Sequence, residues 1–215
     1  MLTVSGALYC QDIDTQVPEL LGLKIIPADF SGNCTITLTT QDQKISLKIA
    51  KLGDNIRTEM DLTKISGLDA ATVAEIKELG LNETVVIIRQ DKKLFWVLYP
   101  SKKGYIEISQ EQINIIPKDI EYTKIAEETL NGVVCDKYKI STKSDKQEIK
   151  AYYWLSKSQP SVPIRSEVET SDGKIVIEFS DIKLISPAKE LFEVPSDYKK
   201  YTDPMQMLMG ELNIK

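Results

Sequence analysis

The side chains of this chain that could carry out chemistry are carboxylates, lysines and cysteines, because histidine is absent. Histidine is the commonest general base and metal ligand, so Ser-His-Asp, Cys-His and histidine-bearing zinc sites are excluded. The carboxylates are spread over predicted turns and polar strand faces, and none can be placed beside another as a two-carboxylate hydrolase requires. We therefore predict a protein that is not an enzyme and has no catalytic residues, no metal site and no cofactor.

The three cysteines, Cys10, Cys34 and Cys135, are too far apart in the sequence for a CxxC redox or zinc motif. Two interpretations remain open. Either the thiols are buried and unpaired, since free cysteine is among the most buried residue types, or one disulfide forms and leaves a third thiol over.

The composition is that of an ordinary globular protein with a modest acidic charge. Of the 215 residues 42% are hydrophobic and 27% are charged, and the formal net charge is -5. This length is sufficient for one all-β domain with a sizeable core. Phosphate binding needs a concentrated basic face, so we expect no nucleic-acid partner.

The first segment, Met1 to Tyr9, is apolar but too short to span a bilayer. It has the character of the end of a signal peptide, which predicts export, and any membrane contact is then expected to be peripheral. Tyr9 stands where a lipobox would need a small residue before Cys10. Pro18 to Ile26 is interpreted as a short helix or an extended apolar arm, so residues 1–27 form a predicted N-terminal arm.

From Ala28 onward apolar and polar residues alternate with the period of a half-buried strand. Turns are predicted at Asp42-Gln43, Gly53-Asp54, Asp91-Lys92, Asn131-Gly132, Ser144-Asp145, Gln159-Pro160 and Asp172-Gly173. Together these features predict about eleven antiparallel strands in meander order. Leu94 to Tyr99 is apolar at every position, so that strand should be covered on both faces.

Two segments have helical spacing instead. Between Ile65 and Leu79 apolar residues recur every three or four positions, with Asp69 as N-cap and Gly80 just beyond the end. The tail from Pro204 to Leu212 also has apolar residues on one helical face. We expect a single domain over residues 28–201, with residues 202–215 as a C-terminal helical tail.

The stretch YYWLSKSQPSVPIRSEVE, residues 152–169, resembles a motif of the LolA-like superfamily of bacterial envelope proteins. The matching positions are Trp154, Pro163 and Arg165, which stand on two strands separated by a short turn. Three further stretches resemble the group, the last of them a branch of unknown function: KLFWVLYPSKKGYIEI (93–108), LFEVPSDYKKY (191–201) and LNGVVCDKYKI (130–140).

The resemblance implies a curved, incomplete antiparallel β-barrel of about eleven strands, with helices as a lid over its mouth. A half-barrel of this kind has an apolar inner face that helices cover incompletely, which leaves a cavity. The predicted lining of that cavity comprises Ile36, Leu38, Leu47, Ile49, Phe95, Val97, Tyr153 and Leu155, with Trp96 and Trp154 as either lining or core anchors. The predicted lid comprises Leu68, Ile76, Leu79, Met205 and Met209.

The same resemblance implies a periplasmic or envelope-associated protein of a bacterium. Its partner would be an acyl chain, a lipid or a lipidated protein, held without covalent chemistry as in a lipoprotein carrier. The alternative is an envelope interaction or regulatory module whose cavity is filled by its own side chains. The sequence leaves open the ligand, the oligomeric state and which parity of each strand faces inward, because a register error of one residue inverts the set.

Overall fold

The computed structural model of the protein describes residues 29–109, 120–142, 150–160, 162–170 and 173–209. The predicted N-terminal arm, the helix or arm from Pro18 to Ile26, Cys10 and the turn at Ser144-Asp145 lie outside these residues. So does the tail beyond residue 209.

Most of the described chain is β-strand. The strands are Phe30–Leu38 (β1), Gln43–Leu52 (β2), Asn55–Asp61 (β3), Glu83–Arg89 (β4), Leu94–Tyr99 (β5), Gly104–Ser109 (β6), Ile120–Leu130 (β7), Val133–Thr142 (β8), Lys150–Ser156 (β9), Pro163–Thr170 (β10), Gly173–Lys183 (β11) and Lys199–Tyr201 (β12). The helices are Ala70–Glu78 (α1) and Pro204–Met209 (α2), and short 3₁₀ turns occur at Leu62–Lys64, Pro100–Lys102 and Lys189–Phe192.

All these strands belong to one sheet, in the order β12-β6-β5-β4-β3-β2-β1-β11-β10-β9-β8-β7. Two meanders, β1 to β6 and β7 to β11, are joined where β1 pairs with β11 antiparallel. The predicted mostly antiparallel sheet is confirmed. One difference is β12, which pairs with β6 in parallel. No hairpin turn connects these two strands, so their relative direction is not fixed by a short turn.

The hairpins form where turn residues can adopt a left-handed backbone. Asn131 and Gly132 have φ of 51° and 81°, as a type I′ turn requires, and they join β7 to β8. Gly53 has φ of 57° and joins β2 to β3. Both turns lie where the sequence predicted them.

Helix α1 begins at the predicted cap. The Asp69 carboxylate accepts the Thr72 backbone N–H at 2.7 Å, and Gly80 just beyond the end has φ of 66°. No residue of α1 is buried. The helix forms part of the connection between β3 and β4.

The sheet has two different faces. The first, which we call the apolar face, consists of buried side chains from strands across the sheet: Phe30, Cys34, Ile36, Ile45, Leu47, Ile49, Ile56, Val86, Ile88, Phe95, Val97, Ile140, Ala151, Tyr153, Leu155, Val168, Ile177 and Phe179. The opposite face, the strap face, has a smaller core of Ala50, Val85, Ile87, Trp96, Leu98 and Phe192. Residues 189–198, the strap, cover that core with Phe192, Val194 and Tyr198. Leu94–Tyr99 thus has buried side chains on both faces of the sheet, and the strap covers one of these faces.

The join between the two meanders depends on Gly32, which lies at a bulge between β1 and β11. A Cβ at this position would lie 3.0 Å from the Ser180 carbonyl oxygen and 3.2 Å from Ile182 Cα. Because these are backbone atoms, they cannot turn away. We expect Gly32→Val to lower the free energy of unfolding by about 1–3 kcal/mol, the usual cost of overpacking. Ser46→Val, at an exposed position on β2, should change it by less than about 0.5 kcal/mol in the same urea titration, and equal effects would contradict the steric account.

Candidate functional site

The predicted lining residues share one face of the sheet. Ile36, Leu47, Ile49, Phe95, Val97, Tyr153 and Leu155 are buried members of the apolar face, and Leu38 packs against them as a half-buried neighbour. The inward parity that the sequence left open is therefore the same for these positions on β1, β2, β5 and β9. Their role in binding a ligand stays a prediction.

The apolar face is built almost entirely by the sheet itself. Among the buried and half-buried members of this cluster in the described chain, Ile65 alone lies outside a strand. It precedes α1 in a segment tied to the start of β2, where the Ser66 N–H donates to the Lys44 carbonyl at 3.0 Å. The strap face differs, because a separate segment of the chain covers it.

Two hydroxyl groups interrupt the apolar face. Tyr153 is 0% exposed, and its hydroxyl has no hydrogen-bond partner among the described residues. Thr84, on β4, is also buried, and its Oγ1 likewise lacks a partner within the described chain. Burial raises the pKa of Tyr153 well above its ordinary value, with a smaller contribution from Tyr122, so its phenol is protonated at neutral pH.

The two tryptophans lie on the other face, as alternation along each strand requires. Trp96 stands between Phe95 and Val97 in sequence and belongs to the core beneath the strap. Its indole N–H donates to Glu107 at 2.9 Å, and Glu107 in turn accepts from Lys200 at 2.6 Å. Trp96 therefore anchors the second core and does not face the other predicted lining residues.

Trp154 has a similar environment on β9. It is buried, and its indole N–H donates to Glu128 at 2.9 Å. Lys137 lies 4.8 Å and Arg165 5.9 Å from its ring, as cation–π contacts. Trp154 and Arg165 of the family motif thus pack together on the face opposite to Tyr153 and Leu155.

Two arginines fix the strap to the sheet, and the first of them, Arg57, donates from Nη1 to the Leu191 carbonyl at 2.9 Å. Arg89 donates from Nη1 to the Phe192 carbonyl at 2.9 Å and contacts Glu193, while Nη2 binds Asp91 at 2.7 Å. Lys92 adds an ion pair with Glu193 at 3.0 Å. The ring of Phe192, 2% exposed, fills the core beneath.

The carboxylates around the strap are held ionised by these bonds. The hydrogen bond from Arg89 lowers the pKa of Asp91. Hydrogen bonds from Lys200 and then Trp96 lower the pKa of Glu107. Burial raises the pKa of Glu193, but its bonds to Arg89 and Lys92 outweigh that effect and leave the pKa lowered. These carboxylates are already paired with cationic side chains, and the pairs stabilise the strap and its surroundings.

None of the predicted lid residues with a described side chain belongs to the cluster of the apolar face. Leu68, Ile76 and Leu79 are half-buried around α1. Met205 is 51% exposed, and the side chain of Met209 lies outside the described set. Met207 takes the buried position on α2 at 1% exposure.

Met207 lies beside Gly104, at the edge of the sheet. A Cβ at Gly104 would lie 2.9 Å from Met207 Sδ. The register pairs Gly104 with Tyr99, which packs on the apolar face. Helix α2 therefore meets that face at the β6 edge, and it does so through a methionine that the predicted lid did not include.

The described cysteines are free. Cys34 lies on the apolar face, where burial raises the pKa of its thiol to about 12. Cys135 is also buried and free. It pairs in register with Ser156, the neighbour of Leu155 on β9, so its side chain lies on the same side of the sheet as the strap face and not on the side of Leu155. The described ranges contain no group of three or more potential metal ligands. No helix within them is long and apolar enough to cross a membrane.

No protein-family model and no curated protein matches the sequence. Solved structures similar to this chain include a LolA superfamily protein from Nitrosomonas europaea, at 12% identity and a TM-score of 0.40, over 83% of this chain and 97% of that one. The MucA/MucB complex of Pseudomonas aeruginosa is similar at 12% identity and a TM-score of 0.46, over 84% of this chain and 60% of that one. LprF from Mycobacterium bovis is similar at 10% identity and a TM-score of 0.41, over 86% and 99% of the two chains.

These likenesses concern the fold alone and assign no ligand to this chain. In the described part of the chain, the edge strands β7 and β12 stand at opposite ends of the sheet order, so the sheet is open and not a closed barrel. The described chain thus forms one open and mostly antiparallel sheet, as its sequence pattern predicts.

Proposed function

We propose that this chain is a non-enzymatic binding protein of the bacterial cell envelope, which holds an acyl chain, a lipid or a lipidated partner against the apolar face. The observation that carries the proposal is the contrast between the two faces. The strap face is covered by residues of the strap, whereas the apolar cluster of the described chain receives only Ile65 from outside the strands, and Met207 meets it only at the β6 edge. An apolar sheet face must be covered by something, and an apolar ligand supplies such a cover.

The strength of such binding would come from apolar burial. Each buried methylene contributes about 0.8 kcal/mol, so a single acyl chain supplies on the order of 10 kcal/mol before the cost of its ordering. No ion pair or covalent bond is needed. The apolar segment Met1 to Tyr9 supports an exported location, where such ligands are found.

A second candidate function is an interaction or regulatory module whose apolar face is filled by the protein's own side chains. The depth of burial on that face favours it, since Ile49 is 2% and Ile177 1% exposed without any ligand. In that case the outer surface of the sheet would contact a partner protein.

Native mass spectrometry of the full chain after detergent-free purification separates the two. The binding protein should carry an added mass of lipid size, which organic extraction removes. A protein of clean apo mass that also fails to take up an acyl-chain fluorophore would overturn the proposal and favour the module. Hydrolase activity that survives repurification would contradict both.

Helix α1 offers a test of the lid. Ile76 is half-buried on α1, so Ile76→Asp places a carboxylate where an apolar side chain is partly shielded from water, and its desolvation costs several kcal/mol unless the helix moves away. We expect retention of the acyl fluorophore to fall by roughly tenfold, which corresponds to about 1.4 kcal/mol. The far-UV spectrum should stay β-like, because no residue of α1 is buried.

The matched control is Ala74→Asp, at an exposed position of the same helix, which should retain the fluorophore as the wild type does. If Ile76→Asp also binds normally, α1 is not a lid. If it abolishes cooperative unfolding, α1 is part of the core.

A further inference from the structure

The hydroxyl of Tyr153 is the most deeply buried polar group of the apolar face for which the described chain offers no partner. The residue is 0% exposed and lies among buried carbon side chains of the strands. Leaving a buried hydroxyl without a hydrogen bond costs about 1–3 kcal/mol. Phenylalanine would fill the same space on this face without that cost.

The geometry of a sheet explains why the described strands supply no partner. A side chain on a strand stands roughly perpendicular to the sheet, so the phenolic oxygen is the part of Tyr153 farthest from its own backbone. Strand β9 pairs with β8 on one side and β10 on the other, so the neighbouring backbone groups are engaged in the ladders. Among the described residues nothing pairs with this oxygen, so a molecule held against the face would supply its partner.

Thr84 provides a useful contrast. Its hydroxyl is attached at Cβ and therefore lies close to the sheet, beneath the layer that a ligand would occupy. The Tyr153 hydroxyl stands at the far end of its ring and so lies nearer to that layer. In addition, the phenol is neutral, so it can donate its proton to a neutral acceptor without burying a charge.

We propose that Tyr153 donates a hydrogen bond to the acyl carbonyl oxygen of the bound molecule, so that the ligand class is an acyl ester or acyl amide and not a plain hydrocarbon. The inference rests on the proposed function and makes it more specific. A hydrocarbon would leave the phenol unpaired, whereas a carbonyl placed over the face would satisfy it.

The test compares methyl palmitate with octadecane, which have similar length but differ in the carbonyl group. Each displaces an apolar fluorescent dye from the delipidated full chain, in wild type and in Tyr153→Phe. We expect the substitution to weaken methyl palmitate about five- to tenfold, the effect of one hydrogen bond, and to leave octadecane unchanged. The control is Tyr138→Phe, since Tyr138 pairs with Tyr153 on the same face but is only half-buried; neither ligand should respond to it.

Urea unfolding of the ligand-free variant shows whether the substitution itself changes the stability of the protein. Without ligand, Tyr153→Phe should unfold at the same urea midpoint as the wild type or at a higher one, because it removes an unpaired buried hydroxyl. A lower midpoint would mean that the hydroxyl has a partner within the protein or a buried water, and would overturn the inference. Equal weakening of both ligands, or of neither, would overturn it as well. If neither ligand displaces the dye from the wild type, the proposed function itself is wrong.

Discussion

Phe192→Ala is expected to lower the free energy of unfolding by about 3–5 kcal/mol, the usual cost of removing a buried phenylalanine ring. Phe192 is 2% exposed and is the buried residue of the Lys189–Phe192 turn. It fills the core between Val85, Ile87, Trp96 and Leu98. The bonds from Arg89 to the strap depend on the position of the Phe192 backbone, so they are weakened together with the packing.

The neighbouring residue supplies the control. Leu191 belongs to the same turn but is 41% exposed, so Leu191→Ala should cost no more than about 0.5 kcal/mol in the same urea titration. Comparable losses for both variants would mean that the turn is stabilised mainly by its backbone bonds to Arg57 and Arg89 and that Phe192 is not the anchor.

The strap shows where prediction from the sequence stopped. The burial of Leu94 to Tyr99 could be predicted from that segment alone, since a strand that is apolar at every position must be buried on both faces. What covers it could not be found in the same way. Phe192 is an isolated aromatic residue in a polar stretch of no clear period, and its contact with β4 and β5 joins positions far apart in the chain. The short edge strand β12, which pairs with β6, was missed as well.

The local features were predictable for the same physical reason. Asp69 caps α1, and Asn131-Gly132 forms its turn, because each effect needs only residues within a few positions. The side on which a strand residue points needs the register of the whole sheet. Tyr153 and Trp154 are neighbours that were both considered as lining, yet alternation places them on opposite faces. Met207 was missed as the buried methionine of α2 because the contact that buries it comes from Gly104, about a hundred positions away.

A second large effect, on ligand binding, is expected from filling the space over the apolar face with a larger side chain. Val97 and Val85 form a matched pair on neighbouring strands, being 8% and 6% exposed, but Val97 lies on the apolar face and Val85 on the strap face. A tryptophan in place of valine adds a large ring above the sheet. If a ligand occupies the space over the apolar face, the ring takes its place.

We therefore expect Val97→Trp to reduce binding of the acyl-chain fluorophore at least tenfold, while the delipidated protein unfolds within about 1 kcal/mol of the wild type. Val85→Trp meets Phe192 and the filled core beneath the strap, so it should cost about 1–3 kcal/mol through overpacking and leave the affinity of the folded fraction unchanged. Urea unfolding and fluorophore titration on the same preparations measure both quantities. The self-filled module makes the reverse prediction for Val97, because a face packed by its own side chains has no room for the ring, and Val97→Trp would then destabilise the protein as much as Val85→Trp does.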